Sequence, residues 1–239
     1  MITTNVVQRT LHIRFGNKTG TAFAIDREDR QYLVTARHLL EDAGQNDGTY
    51  IYKDKKWVNF QFQAAGIGEG ETDVAVMALP FRIAPRYPLE PSSGGMLHGQ
   101  QVFFLGFPFG WDGRGENINH GYPVPFVKAG VMSAVHFGEP SLIYIDAHGN
   151  KGFSGGPVVY RDPSKPNSDL KVAGVVAHGP TPIRKPIVDE RGLPLVEEDG
   201  KGAYFAENQG FVVAIGIRHV VDLIDSNPIG FSLPAEEAE

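Results

Sequence analysis

Short apolar runs, separated by polar turns, fill most of the first half of the chain. Turn residues such as those at 26–30 and 41–48 divide runs in which apolar positions alternate or cluster. Short strands at this spacing are typical of a β-sandwich or β-barrel. The predicted strands lie near residues 11–15, 20–25, 31–35, 49–53, 56–63 and 73–79.

A second series of apolar runs follows a proline-rich connection at residues 80–98, which we interpret as the linker between two lobes. Residues 216–226 carry apolar side chains at helical spacing and are predicted to form an amphipathic closing helix. The strands predicted in this half lie near residues 101–106, 126–137, 142–146, 156–160, 170–177, 203–206 and 210–215. The expected organisation is a first lobe at 1–85, a linker at 86–98, a second lobe at 99–232 and a disordered tail at 233–239.

One serine, Ser154, stands among glycines in the segment 149–157. Glycine permits backbone conformations that other residues resist, and it allows close approach of a ligand to the main chain. A serine displayed in this way can attack an electrophile while neighbouring amides stabilise the oxygen that becomes negative. The same residues are also ordinary turn formers, so the segment alone is equally compatible with a surface turn.

Two catalytic designs fit the serine segment. Residues 152–156 match the G-x-S-x-G elbow of α/β-hydrolases, but that elbow needs a helix after the serine. Here Gly, Gly, Pro and two valines follow, which favours a strand. The other design places histidine first, then aspartate, then serine. His38 follows an apolar run and Asp73 precedes another, so the order His38, Asp73, Ser154 predicts a three-residue catalytic site.

With these motifs the chain resembles the chymotrypsin-like (trypsin-like) serine peptidases, and most of all the HtrA/Deg-type peptidase domain without a PDZ domain. The resemblance implies an all-β fold of two six-stranded antiparallel β-barrels with a C-terminal helix. It also implies that Ser154 is the nucleophile, His38 the base and Asp73 its partner, with the amides of Gly152 and Ser154 as the oxyanion hole. The segments that carry it are 20–23, 34–38, 72–76, 106–110, 129–134, 149–157 and 172–179.

Three residues depart from the family pattern. Phe153 replaces the aspartate that pairs with a freed N-terminus in trypsin-type zymogens, so that activation switch is not expected. Ala177 stands where a serine often hydrogen-bonds the catalytic aspartate, so Asp73 needs other donors, such as backbone amides near His38. Arg37 replaces the small residue usual before the histidine.

The resemblance also implies a primary specificity pocket without a carboxylate at its base, which argues against a preference for Arg or Lys. His148 or His178 is a candidate hydrogen-bonding group for an acidic or polar side chain, and the alternative is that both are exposed loop histidines. The predicted substrate-binding residues are His148, Gly149, Ala177, His178, Gly179 and Gly210.

Composition narrows the partners. The net charge of −6 makes nucleic acid or an anionic membrane an unexpected partner. There is no cysteine, and no metal-ligand cluster or cofactor motif, so neither a metal nor a cofactor is expected. The absence of cysteine and of a signal peptide within residues 1–15 predicts a cytoplasmic protein of bacterial source.

Two insertions, 107–125 and 181–202, are candidate contacts for a regulatory protein. The alternatives for 181–202 are a lid, a self-cleavage segment or a solvated hairpin. The predicted function is a serine endopeptidase that is regulated by a partner or by conformation and acts on a protein or peptide. The alternatives are a catalytically silent, protease-like module that binds peptides or proteins and, less favoured, an esterase.

Overall fold

The computed structural model describes residues 1–41, 48–85, 89–113, 119–165, 168–177, 183–196 and 201–234. Strands dominate these residues, and the fold class is nearly all-β with one C-terminal helix. Two short 3₁₀ turns, Arg37–Leu39 and Pro108–Gly110, each lie beside the candidate site. The other elements are α1 (Thr4–Gln8), β1 (Thr10–Phe15), β2 (Lys18–Arg27), β3 (Arg30–Thr35), β4 (Thr49–Lys53), β5 (Lys56–Asn59), β6 (Gln63–Ile67), β7 (Ala75–Ala78), β8 (Glu90–Pro91), β9 (Gln101–Gly106), β10 (Phe126–His136), β11 (Leu142–Asp146), β12 (Pro157–Tyr160), β13 (Lys171–Val176), β14 (Ile183–Pro186), β15 (Tyr204–Glu207), β16 (Phe211–Gly216), α2 (Arg218–Ser226) and β17 (Phe231–Ser232).

The second half of the chain forms a closed barrel. Its six strands follow the order β12, β9, β10, β11, β16 and β13, and β13 pairs with β12 to complete the ring. The short strand β8 adds to β13 in parallel. This barrel agrees with the architecture that the sequence predicted for the second lobe.

The first half forms an eight-stranded sheet with the path β5, β4, β1, β2, β3, β7 and β6, and with β17 paired to β3. Within the described residues its two end strands do not pair, so here the sheet stays open where a closed six-stranded barrel was expected. Helix α2 contacts the β6 edge of this sheet. A Cβ added to Gly66 would lie 2.8 Å from Leu223 Cβ, and Asn227 Nδ2 donates to the Ala65 carbonyl at 3.0 Å. Covering an edge with a helix is a common alternative to closing it.

The strand predicted at 56–63 is divided in the structure. Strand β5 ends at Asn59, and β6, which was not predicted, begins at Gln63. Between them Phe60 is buried against Phe15, with ring centroids 6.3 Å apart. The Phe60 amide still donates to the Thr49 carbonyl at 3.0 Å, and after it the chain turns into its next pairing, with β7.

The insertion at 181–202 contributes β14, which pairs with β15 just after the insertion to form a two-stranded ribbon. Bridges between Val188 and Pro194 and between Val196 and Gly202 continue the pairing beyond these strands. Large apolar side chains such as Leu193 and Tyr204 are exposed along it. A hairpin is therefore the observed form of this insertion over its described residues.

One hydrophobic cluster joins the two sheets. It contains Phe23 and Val34 from the first sheet, Val159 from the barrel, and Val220 and Ile224 from α2. The two α2 residues stand four positions apart, on one face of the helix. No helix among the described residues is long and apolar enough to span a membrane.

The proposed lobe boundaries stay a prediction, although several contacts bear on them. Strand β8 lies within the segment assigned to the linker and pairs with the barrel. Leu233, assigned to the tail, is buried, and its amide donates to the Asp29 carbonyl at 2.8 Å. Residues 235–239 lie outside the described part of the chain.

Candidate active site

Antiparallel pairing of β3 with β7 brings His38 and Asp73 together. Thr35, the last residue of β3, pairs with Ala75, the first of β7, so the segments that leave these ends lie side by side. His38 Nδ1 lies 2.7 Å from Asp73 Oδ2, and the His38 amide donates to Asp73 Oδ1 at 2.9 Å. The side chains are 16% and 14% exposed. The carboxylate therefore holds both the ring and the main chain of the histidine, as expected of a group that fixes its tautomer.

Arg37 braces the loop that leads to Asp73. Its guanidinium donates to the Gly68 carbonyl at 2.8 Å and to the Gly70 carbonyl at 2.7 Å. Its Nε also lies 2.7 Å from Glu41 Oε1. This departure from the family pattern therefore ties the histidine turn to the aspartate loop.

The two glycines that follow Ser154 allow the turn to pass close to other backbone. Gly155 has a φ of +83°, and a Cβ there would lie 2.1 Å from the Thr21 carbonyl oxygen. A Cβ on Gly156 would lie 2.0 Å from the Leu105 carbonyl oxygen. Space excludes a side chain at both positions, and the positive φ of Gly155 disfavours one there as well.

The peptide groups around Ser154 have a defined orientation. The Lys151 carbonyl accepts from the Phe109 amide at 2.8 Å, and the Phe153 carbonyl accepts from the Gly156 amide at 2.9 Å. In a trans peptide the N–H points opposite to the C=O. The amides of Gly152 and Ser154 therefore point away from these two donors. Among the described residues, neither amide donates to a protein acceptor.

Phe153 anchors the serine turn in the barrel core. It is 1% exposed, and its ring meets Phe104 edge to face at a centroid distance of 5.0 Å. A buried aromatic side chain thus stands at the position where a zymogen-type chain carries an aspartate. Lys128 Nζ lies 5.7 Å from the centre of the same ring.

Lys128 also holds the wall of the cleft. Its ammonium donates to Asn150 Oδ1 at 2.9 Å and to the His148 carbonyl at 2.5 Å. Burial lowers the pKa of Lys128 because desolvation penalises the charged form. The two hydrogen bonds of Lys128 link strand β10, to which it belongs, to the turn that precedes the serine.

A cleft of about 550 Å³ contains five of the predicted site residues, and its lining includes Lys18, Val176, Asn208, Phe211 and Val212 beside them. The predicted residues that line it are His38, Gly149, Gly152, Ser154 and Ala177. Ser154 and His38 thus face one space, with Asp73 bonded to the histidine.

Two predicted pocket residues support the cleft without being among its described lining residues. His148 Nε2 lies 3.5 Å from Asn208 Nδ2, which donates to the Gly149 carbonyl at 2.7 Å. Gly210, at a φ of +75°, donates its amide to Asn208 Oδ1 at 2.9 Å. His178 and Gly179 lie outside the described residues.

The fold and the site together define a serine-peptidase-like architecture, with a histidine–aspartate pair and a glycine-flanked serine at one cleft. A family model described as "Trypsin-like peptidase domain" matches residues 20–163. The chain belongs to this trypsin-like peptidase family. No curated protein matches it.

Solved structures share the fold at low sequence identity. A mutant, inactive form of Rv3671c from M. tuberculosis is similar with a TM-score of 0.57 and 17% identity over 98% of this chain and 90% of that one. The HtrA-type protease AlgW, solved with a tripeptide, gives a TM-score of 0.56 and 19% identity over 93% of this chain. The alignment spans 61% of the AlgW chain.

Sequence reasoning did not identify Thr21, Lys128 and Asn208 as contributors to the site. Each acts through hydrogen bonds to backbone or side-chain groups around the serine turn. Lys128 and Asn150 are 22 positions apart, and Thr21 and Gly152 are 131 apart. No local pattern links such distant residues, although Thr21 does lie in one of the segments that carried the family resemblance.

Proposed function

We propose that the protein is a serine endopeptidase that hydrolyses peptide bonds through His38, Asp73 and Ser154. The observation that carries this proposal is that His38 lines the same cleft as Ser154 and forms two hydrogen bonds with Asp73. Membership of the trypsin-like peptidase family supports the same reaction class.

In the proposed reaction, Ser154 Oγ attacks the carbonyl carbon of the scissile bond while His38 Nε2 accepts its proton. Asp73 accepts the Nδ1–H bond and stabilises the imidazolium that forms. The negative carbonyl oxygen accepts hydrogen bonds from the amides of Gly152 and Ser154, whose orientation supports this role. The C–N bond then breaks as His38 protonates the leaving amine.

Water completes the cycle by attacking the acyl-enzyme carbonyl. His38 accepts a proton from this water and returns it to Ser154 Oγ as the ester bond breaks. No cofactor is needed for this sequence, since the nucleophile, base and oxyanion donors all belong to the chain.

We further propose that activity depends on a protein partner or on conformation. Two exposed aromatic side chains, Phe109 and Trp111, adjoin the oxyanion turn, because the Phe109 amide holds the Lys151 carbonyl. A partner that contacts this loop would act directly on the geometry of the Gly152 peptide.

Labelling with a fluorophosphonate probe, combined with hydrolysis of fluorescein-labelled casein, tests the proposal. Wild-type protein should be labelled and should cleave casein, whereas Ser154→Ala should do neither and His38→Ala should be slowed by several orders of magnitude. Ser133→Ala, which alters an exposed serine, should behave as wild type. Equal labelling of wild type and Ser154→Ala would refute the proposal. Peptide binding without labelling or cleavage would favour the silent binding module.

A further inference from the structure

Thr21 lies at the contact between the two sheets, directly behind the serine turn. It belongs to β2 of the first sheet and is fully buried. Its amide donates to the Ser154 carbonyl at 2.9 Å, and its carbonyl accepts from Thr35 Oγ1 at 2.7 Å. Two hydrogen bonds therefore hold the backbone of Thr21 independently of its side chain.

The Thr21 hydroxyl binds the carbonyl next to the proposed oxyanion donor. Oγ1 donates to the Gly152 carbonyl at 2.7 Å. The Phe107 amide lies 3.3 Å from the same Oγ1 and 3.4 Å from the Gly152 carbonyl oxygen, so it is shared between them. One buried hydroxyl thus links a first-sheet strand to two backbone segments of the barrel.

Gly152 is held between two oriented peptide groups. The peptide before it is held through the Lys151 carbonyl by the Phe109 amide, and the peptide after it is held by Thr21. Gly152 has a φ of +102°, and a Cβ would lie 2.1 Å from the Phe107 carbonyl oxygen. A glycine can rotate readily about φ and ψ, so its own residue type does not keep its amide aimed at the cleft. The two flanking hydrogen bonds supply that constraint.

We propose that Thr21 is a positioning residue whose hydroxyl, by binding the Gly152 carbonyl, holds the Gly152 amide in the orientation that stabilises the oxyanion. This inference rests on the proposed peptidase function and deepens it. Because the bond crosses between the sheets, it also makes the oxyanion geometry sensitive to how the two sheets pack. Thr21 itself touches neither the substrate nor the reacting atoms.

The test compares Thr21→Val, which removes the hydroxyl but keeps a similar shape, with Thr21→Ser, which retains it. The matched control is Thr10→Val, because Thr10 is also fully buried and its Oγ1 donates to a backbone carbonyl, that of Val6 at 2.9 Å, outside the cleft. For each protein the kcat and KM on labelled casein, the fluorophosphonate labelling rate and the thermal midpoint are measured. Backbone hydrogen exchange of residues 150–155 is followed as a readout that does not need activity.

Loss of an oxyanion donor costs about 10²–10³ in kcat, and a displaced donor should cost less, so Thr21→Val should lower kcat by about 10- to 100-fold. KM should stay within about twofold, since the interaction acts in the transition state. The labelling rate should fall in proportion, and residues 150–155 should exchange faster. Thr21→Ser should recover most of the activity, and Thr10→Val should keep wild-type kinetics.

Several results would overturn the inference. The inference fails if Thr21→Val is labelled and cleaves casein at the wild-type rate. It also fails if Thr21→Ser and Thr21→Val are equally impaired. A parallel loss of activity and thermal midpoint in Thr21→Val and Thr10→Val would indicate a merely structural hydroxyl. If wild type neither labels nor cleaves casein, the peptidase proposal fails. Hydrogen exchange then decides on Thr21 alone: faster exchange in Thr21→Val than in Thr10→Val supports its positioning role, and unchanged exchange refutes it.

Discussion

His12 lies inside an aromatic cluster at the contact between the two sheets. Its ring stacks on Phe107 at a centroid distance of 4.6 Å and meets Trp57 edge to face at 4.9 Å. Among the described residues, neither ring nitrogen has a hydrogen-bond partner. Burial lowers the pKa of His12 to about 4, because the site cannot solvate the imidazolium. The charged Arg14 stacks over the same Trp57, at 4.8 Å.

This histidine should make the folded state sensitive to acid. His12 binds a proton near pH 6.5 in the unfolded chain but only near pH 4 in the folded chain. The folded state should therefore lose stability as the pH drops from about 6.5 to 4. This difference in the pKa of His12 corresponds to a loss of at most about 3 kcal/mol in the free energy of unfolding. Urea unfolding of wild type and His12→Phe across this pH range should show a smaller loss of stability in the variant. The lowered pKa of His219 acts in the same direction, but it is present in both proteins and cancels.

His136→Gln, which changes an exposed histidine, is the control and should follow the wild-type pH dependence. Parallel pH profiles for wild type and His12→Phe would contradict the assignment. Phe107 also contacts the oxyanion turn, so the same variant reports whether the aromatic cluster supports activity at neutral pH.

At the scale of single residues, sequence order predicted which chemical groups the cleft contains. Ser154 was recognisable because glycines surround it, and His38 because it ends an apolar run. Thr21 was not recognised, because a threonine in a strand is ordinary and its function appears only with its partner. Residues whose role is geometric need the fold before their role can be recognised.

At the scale of elements, Arg37 links the two strand ends that carry His38 and Asp73. Its guanidinium spans the carbonyls of Gly68 and Gly70, a geometry that suits a planar fork better than an ammonium. Arg37→Lys should therefore keep the charge but release the loop before Asp73. We expect kcat to fall about tenfold, on the scale of one to two hydrogen bonds to a charged group, with little change in KM.

Lys165→Met, which alters an exposed cation outside this loop, is the control for a general effect of changing a surface cation. It should leave casein cleavage at the wild-type level. Wild-type kcat in Arg37→Lys would show that the main-chain bond from His38 to Asp73 is sufficient on its own.

Element prediction succeeded where strand-forming residues were dense and failed where the local strand propensity was low. Strands β9 and β11 were predicted with their observed bounds, since both are rich in aromatic or β-branched residues. Strand β6 was missed because its sequence, Gln-Ala-Ala-Gly-Ile, has little strand propensity. It forms through pairing with β7 and contact with α2. The five-residue helix α1 is too short to give a periodic signal.

At the scale of the whole molecule, helix α2 follows the last barrel strand and contacts the first sheet. Besides its packing at Gly66, Asp225 forms a two-point ion pair with Arg27 of β2, with both N–O distances 2.5 Å. Exposed ion pairs contribute little, so the buried face of the helix carries most of the contact energy. Because His38 and Asp73 lie on one sheet and Ser154 on the other, this packing sets the geometry of the cleft.

The shared hydrophobic cluster predicts that the two sheets unfold as one unit. Ile224 is 2% exposed within it, so Ile224→Ala should cost about 2–5 kcal/mol. Native-state hydrogen exchange should then show the same loss of protection in β3 and β13, which belong to different sheets. Asp222→Ala, on the exposed face of the same helix, should change stability by no more than about 0.5 kcal/mol. If β3 lost protection while β13 kept it, the sheets would be separate units, and the helix could not couple their packing to the serine turn.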